Sequence, residues 1–401
     1  MGKREISLRQ LLHPMSPEEF FADYYDQRPL HIPGAADKFA HVFTWNELNA
    51  LLESVHLWSE KTMRLVLDTV DVPPEEYSVP GHNRFLEPAL IPDLKKVQEM
   101  ILQGATLVLD RTERLTPTLT EIADIIELST GGRANCNAYC SWQAYQAFKS
   151  HYDSMDVFVL QIDGSKKWNI YETRIDGPVE HAPFDFASQS AEHHQIAKGK
   201  VSMTPELSTG DFLYVPAGQY HDALASTEVS LHLTFGSVRA TGIDFMALVT
   251  SLESIASIPE FRRPLPHFDD ASAHNAHIEE LADKLHELLC DPSTAEQVRG
   301  FQRQQSLGHL SPGFQLPKRA EHARLRVCDR GAKTVRRGPD WVLKTAGSET
   351  KIDPAEAQVA EWVIGREGFT SIEFIDAFGQ GDLDLLGTLN RFSKAGLIEV
   401  V

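Results

Sequence analysis

Between about residues 105 and 240 the apolar residues fall in short β-type runs, ATLVLD, RANCNAYC, DVFVLQI, KKWNIYE, DFLYVP and VSLHLTFG, separated by Gly, Pro and Asp turns. Many short strands at this spacing predict a β-sandwich or barrel. After Gly242 the period changes. Phe245, Leu248, Val249, Leu252 and Ile255 recur at helical spacing, and a second such run follows at Ile278, Leu281, Leu285 and Leu288. Ahead of the strands, Ser16-Pro17-Glu18-Glu19 combines a capping serine, a proline at the first helical position and a glutamate three residues after the cap, so a short helix starts there. The prolines and glycine of residues 28–34 exclude its continuation and leave an extended segment.

Toward the C-terminus, residues 318–344 are basic and irregular and read as a linker. Residues 345–401 carry helical stretches at 357–364, from Ser371 through Phe378 and at 385–395, then a terminal strand. That order is winged-helix-like. The prediction is a mixed α+β chain: a barrel domain over 1–240, a helical domain with linker over 241–344, and a winged-helix-like domain over 345–401. A length of 401 residues suits two or three domains.

Composition narrows the classes. No stretch approaches the roughly 18 apolar residues that span a bilayer, and the N-terminal MGKREISLRQLL lacks the apolar run of a secretory signal, so a soluble cytoplasmic protein with no membrane contact is expected. The four cysteines, Cys136, Cys140, Cys290 and Cys328, form no CxxC pair and read as reduced structural thiols. The net charge of −19 opposes a phosphate-binding surface and favours a neutral or basic partner such as a basic polypeptide. The nine basic residues of 318–344 have no interleaved aromatics, and 345–401 holds ten acidic residues against four basic, which argues against direct nucleic-acid binding.

The candidate chemistry lies in His151-Tyr152-Asp153. On extended backbone residues i and i+2 share a face, so an imidazole and a carboxylate converge. His221 in GDFLYVPAGQYHD is presented a few residues beyond the turn at Ala217-Gly218. Two histidines and one carboxylate make the facial triad of non-haem Fe(II) oxygenases. A lone HxD is equally a solvated histidine beside a turn aspartate, so a further residue is needed. Asp163-Gly164 is a two-residue hairpin signal. With a hairpin there, Gln161 lies opposite Lys166, and Lys166 joins the face of His151 and Asp153 while Lys167 points out. The same parity puts Asn137 and Tyr139 together, and sets Ser230, His232 and Thr234 on the polar, lumenal face of VSLHLTFG. Taken alone, Asn137 and Ser230 read as ordinary hydrogen-bonding residues. His181, His193 and His194 read as solvated.

The pattern NAYCSWQAYQAFKSHYDSMDVFVLQIDGSKKWNIY, followed by GDFLYVPAGQYHD and VSLHLTFG, resembles the JmjC-type ribosomal oxygenases, cupin-fold protein hydroxylases that include bacterial ribosomal-protein arginine hydroxylases. The resemblance implies a double-stranded β-helix core, a helical dimerisation domain and a C-terminal winged helix. It implies Fe(II) on His151, Asp153 and His221, 2-oxoglutarate held by Lys166 with Asn137, Tyr139 and Ser230 around it, and dioxygen as co-reactant. It further implies a homodimer that hydroxylates an Arg or His side chain of a ribosomal protein. One stretch departs from the family, which carries a Pro-Pro-Gly-like turn where this chain has Ser141-Trp142-Gln143-Ala144-Tyr145-Gln146. Two aromatics at the entrance keep open a free amino acid or natural-product peptide as substrate. A non-catalytic cupin serving as an interaction module is the remaining alternative.

Overall fold

The computed structural model describes residues 6–142, 148–251, 255–306, 324–329, 331–379 and 384–400. Of the residues singled out above, 143–146, Leu252, Lys318, Arg319 and Arg330 lie outside these. The chain divides into two compact units, Met1–Leu310 and Ser311–Val401.

The first unit is built on a ten-stranded antiparallel sheet. Its order is Leu30–Ile32, Phe212–Val215, Asp156–Arg174, Gln219–Val238, Arg133–Trp142, Thr106–Leu109, Met63–Leu67 and Val70–Asp71, with Val201–Met203 and Glu206–Ser208 also on Asp156–Arg174. This large antiparallel sheet is consistent with a JmjC/cupin core. Two strands dominate it, Asp156–Arg174 of 19 residues and Gln219–Val238 of 20, paired from Gln219↔Arg174 to Ser237↔Asp156. Strand alternation sorts their side chains. Phe158, Leu160, Leu231, Leu233 and Phe235 join the large core that includes Leu119, Ile122 and Ile126 of helix Pro117–Thr130. Val157, Val159, Trp168 and Ile170 pack on the other side with Leu207, Leu213 and Val215.

The expected hairpin at Asp163-Gly164 is absent: the strand runs straight through it. Gly164 instead takes φ +69 beside a pairing irregularity, where Ser230 lies opposite Gly164 and Leu231 opposite Asp163 but His232 opposite Gln161. A bulge of this kind shifts the side-chain alternation by one. The inward set is therefore odd-numbered before it, at Val157 and Val159, and even-numbered after it, at Lys166, Trp168 and Ile170. A Cβ on Gly164 would sit 1.9 Å from the Val229 carbonyl oxygen.

Ser16 caps helix Pro17–Asp23 by accepting from the Glu19 amide at 3.1 Å, and residues 30–32 are extended as anticipated. Beyond the sheet come helices Gly242–Val249, Ala271–Cys290 and Pro292–Ser306. Ala271–Cys290 has 20 residues and none of them is buried; Ile278 is 60% exposed.

In the second unit most of the described part of the stretch expected to be irregular linker, residues 324–329 and 331–344, is strand. Arg324–Val327 pairs with Gly368–Thr370 and Ile398–Val400, and Lys333–Arg337, Asp340–Lys344 and Glu349–Ile352 form a second sheet. Arg324 and Arg326 sit on exposed positions that alternate with Leu325 and Val327, and Leu325, Val327 and Leu343 enter the core with Val359, Val363, Phe374 and Phe392. Helices Pro354–Ile364, Ser371–Phe378 and Leu385–Lys394 complete the unit. Among the described residues no helix is long and apolar enough to cross a membrane.

Candidate metal centre

His151 and His221 face each other across an isolated antiparallel bridge. The His151 amide donates to the His221 carbonyl at 3.0 Å and the His221 amide donates back at 2.8 Å. Gly218, at φ +81 in the turn after Phe212–Val215, donates its amide to the Asp153 carbonyl at 2.8 Å. A Cβ at that glycine would lie 2.0 Å from the Ile175 carbonyl oxygen. These backbone bonds fix the ends of the two ligand segments before any side chain contributes.

The side chains converge as their spacing requires. Asp153 Oδ2 lies 4.0 Å from His151 Nε2 and 3.5 Å from His221 Nε2, and ligand atoms of the three lie within 4.8 Å of one another. Each histidine has its other nitrogen anchored: Nδ1 of His151 is 2.8 Å from the Lys149 carbonyl, and Nδ1 of His221 is 2.9 Å from that of Gln219. A carbonyl only accepts, so Nδ1 carries the proton and Nε2 is left with its lone pair. Burial, reinforced by the neighbouring His151, pushes His221 down to about 4 and keeps that lone pair free.

Behind the ligands, the buried Asp222 carboxylate ties their segments together. It accepts from Ser150 Oγ at 2.7 Å, Tyr171 OH at 2.5 Å and Asn169 Nδ2 at 2.8 Å, while Lys198 Nζ reaches Ser150 Oγ at 3.0 Å. Ser150 and Asp222 are the sequence neighbours of His151 and His221. The turn at Ala217-Gly218 pointed to His221 but gave no warning of this brace, because Asp222 bonds residues distant in sequence.

The triad shares a cavity of about 90 Å³ with Tyr139, Lys166, Trp168, His232 and Thr234. Lys166 is buried and makes its one hydrogen bond among the described residues to Ser141 Oγ, at 3.4 Å. Burial pushes it down to about 8. Tyr139, half-buried beside Phe148, is pushed up to about 12 by desolvation. Thus His151, Asp153, His221, Lys166 and Tyr139 come together, whereas Asn137 and Ser230 stand off the cavity wall. Asn137 Oδ1 accepts from the Arg111 amide at 3.2 Å, and Ser230 Oγ accepts from Gln161 Nε2 at 3.0 Å. Ser141 was overlooked, although it is i+2 from Tyr139 and the same parity finds it. His194 is buried rather than solvated, with Nδ1 2.7 Å from Tyr220 OH and Nε2 2.9 Å from the Phe186 carbonyl.

The residues fit a metal with an anionic co-ligand. Two imidazole nitrogens and a carboxylate on one side suit Fe(II). On the other side, among the described residues, stand a buried ammonium without an acidic partner and two buried atoms lacking hydrogen-bond partners, Trp168 Nε1 and His232 Nδ1. Residues 109–245, which hold all of these groups, match the family model described as JmjC domain. These residues form a JmjC domain.

Relatives of the JmjC domain carry corresponding names. The chain is 29% identical over 264 residues to ribosomal oxygenase 1 of Rattus norvegicus, covering 64% of this chain and 41% of that protein. It is 25% identical over 234 residues to the bifunctional lysine-specific demethylase and histidyl-hydroxylase NO66 of Dictyostelium discoideum, covering 57% of this chain and 42% of that one. The chain thus spans about two fifths of the length of these curated relatives. Among solved structures, Escherichia coli YcfD is matched with a TM-score of 0.52 at 17% identity, over 96% of this chain and 98% of the other. A structure of YcfD with cobalt and 2-oxoglutarate is matched with a TM-score of 0.50 at 17% identity over the same shares. At that identity the likeness concerns the fold.

A second cavity, of about 540 Å³, reaches the JmjC-domain triad from outside. Phe148, His151 and Asp153 line both cavities, and Tyr152, Glu180, Asp185 and Phe186 line the outer one.

Proposed function

We propose that the chain is an Fe(II)- and 2-oxoglutarate-dependent oxygenase of the cytoplasm that hydroxylates an arginine or histidine side chain of a basic ribosomal protein. The observation that carries this reading is Lys166, a buried ammonium with no carboxylate partner among the described residues, in the same cavity as two histidines and an aspartate. A buried charge without a counter-ion is costly, and a bound carboxylate removes that cost. When bound, iron with 2-oxoglutarate and dioxygen supplies the oxidising power needed to hydroxylate an unactivated C–H bond.

The chain's own residues bind and orient. His151 and His221 offer Nε2, and Asp153 offers a carboxylate, each held by the backbone bonds described above. Lys166 takes the distal carboxylate of 2-oxoglutarate, supported by Ser141. Tyr139 walls the pocket beside it, while Ser230 and Asn137 act from behind, Ser230 by fixing the Gln161 amide. Trp168, stacked 5.8 Å from the His221 ring, and Phe148 keep water from the space between. In the outer cavity Glu180 and Asp185 flank the aromatic rings of Tyr152 and Phe186, an arrangement suited to a cationic side chain. The net charge of −19 and the names of the relatives support a basic ribosomal target.

The apolar stripe of helix Ala271–Cys290, with Ile278 exposed and Leu281, Leu285 and Leu288 half-buried, supports a homodimer formed through this helical domain. The sheets and three helices of the second unit support a winged-helix-like domain. Incubating the protein with Fe(II), 2-oxoglutarate and ribosomes, then measuring succinate and intact ribosomal-protein masses, tests the proposal. Succinate with a gain of one oxygen on one ribosomal protein is expected. Absence of both 2-oxoglutarate turnover and 2-oxoglutarate binding would sink it.

A further inference from the structure

His232 is 2% exposed and sits in the cavity wall on the same strand face as Ser230 and Thr234. Its plane is fixed twice. The ring stacks on Tyr139 at 4.8 Å and 5°, and meets the Trp168 ring edge-on at 5.9 Å and 80°. Burial and the charge of Lys166 hold it well below the usual histidine range, so the ring is neutral, with one N–H to give and one lone pair.

A histidine kept for structure satisfies both nitrogens. His194 does so, against Tyr220 and Phe186. His232 does not: its Nδ1 is buried without a hydrogen-bond partner among the described residues. Leaving a buried polar atom unmatched costs stability unless a ligand completes it. Two facing polar groups in one small cavity are thus incompletely satisfied, the Lys166 ammonium and the His232 ring, and a carboxylate placed between them can accept from both. Ser230 is not among the residues that line this cavity, whereas His232 is.

We infer that His232 donates the second hydrogen bond to the distal carboxylate of the cosubstrate and, with Lys166, selects a 2-oxo dicarboxylate over a 2-oxo monocarboxylate. The inference rests on the reading of the cavity as a 2-oxoglutarate site. It adds His232 to the residues that the family resemblance placed around the cosubstrate.

The test is calorimetry on the full chain loaded with Zn(II), which binds ligands without turnover. Two probes are compared, 2-oxoglutarate and 2-oxovalerate, which has the same chain length with a methyl group in place of the distal carboxylate. His232→Phe is expected to weaken 2-oxoglutarate by about 10- to 100-fold, the usual range for a lost hydrogen bond to a charged group. Binding of 2-oxovalerate and of Zn(II) is expected to change less than about threefold, because neither involves the lost N–H. His232→Gln, which restores an N–H, recovers most of the 2-oxoglutarate affinity. Equal weakening of the two acids, or no weakening of 2-oxoglutarate, overturns the inference. If His232→Phe loses Zn(II) or its melting transition, His232→Leu and His232→Gln carry the same comparison, and loss in these too shows a structural histidine and overturns it. Wild-type protein that fails to prefer 2-oxoglutarate overturns the parent reading instead.

Discussion

The two ends of the small cavity are finished to different degrees. At the metal end each histidine has its second nitrogen on a backbone carbonyl, the two ligand segments hold each other by reciprocal amide bonds, and Asp222 ties their neighbours together. At the Lys166 end an ammonium, an indole nitrogen and an imidazole nitrogen are buried with too few partners among the described residues. The first end is preorganised by the fold, and a metal completes it with little rearrangement. The second end stores an unfavourable burial that an anion relieves. The difference predicts that metal and cosubstrate binding respond to separate sets of substitutions.

The largest effect is expected at the first end. Asp153→Ala removes the one carboxylate of the triad, so Co(II) affinity should fall by more than about 100-fold, beyond the range usual for outer partners of a metal site. Titration of the Co(II) absorption bands measures it. Retained metal binding would erase the distinction between the ends.

Lys166→Met should weaken 2-oxoglutarate by about 30- to 1000-fold, the range for removing one partner of a buried charge pair, while Co(II) affinity holds. The same substitution has a signature without ligand. Because burial lowers Lys166 from 10.5 to about 8, the folded chain resists protonation more than the unfolded one does. The penalty is full below pH 8 and disappears as pH rises toward 10.5, so this group makes stability rise with pH across that window, by about 3 kcal/mol in all. Denaturant melts of wild type and Lys166→Met should converge in alkali and diverge near neutrality, with the variant the more stable.

Asp222→Asn tests the brace. Its expected cost is about 10- to 100-fold in metal affinity, with 2-oxoglutarate binding to the fully metal-loaded protein unchanged. At the small end of the scale, Asn137→Ala should change 2-oxoglutarate affinity by less than about tenfold, since the side chain bonds the Arg111 amide outside the cavity wall and a neutral hydrogen bond contributes about 1 kcal/mol. A larger loss would bring the second end's boundary out to Asn137.

The metal end was legible in the sequence because it depends on local rules, i and i+2 on extended chain for His151 and Asp153 and a glycine turn ahead of His221. Lys166 was placed correctly on a wrong premise. A glycine at positive φ serves a hairpin or a bulge equally well, and Asp163-Gly164 is decided by the long strand Gln219–Val238, which pairs straight past it and is invisible to a local reading. Both routes turn Lys166 inward, one by folding the chain back and the other by shifting its alternation. The 324–344 segment was missed for a different reason. Arg324–Val327 alternates exposed basic with buried apolar residues, as a strand with one covered face does, and the basic composition around it read as linker. His194 and Asp222 could not be read at all, since what buries them comes from Tyr220, Phe186, Ser150 and Tyr171 elsewhere in the chain.

The reciprocal amide bonds between His151 and His221 carry a consequence for how the protein is made. They join positions 70 residues apart, and nothing upstream of His221 substitutes for the second imidazole. A chain emerging from its N-terminus passes Asp153 long before it can form the centre, and contacts of such sequence separation form late and slowly. Metal capture is therefore a report that the bridge between the two ligand segments has closed. A refolding experiment followed by Co(II) colour should lag one followed by helix signal, and the interval between them times that closure.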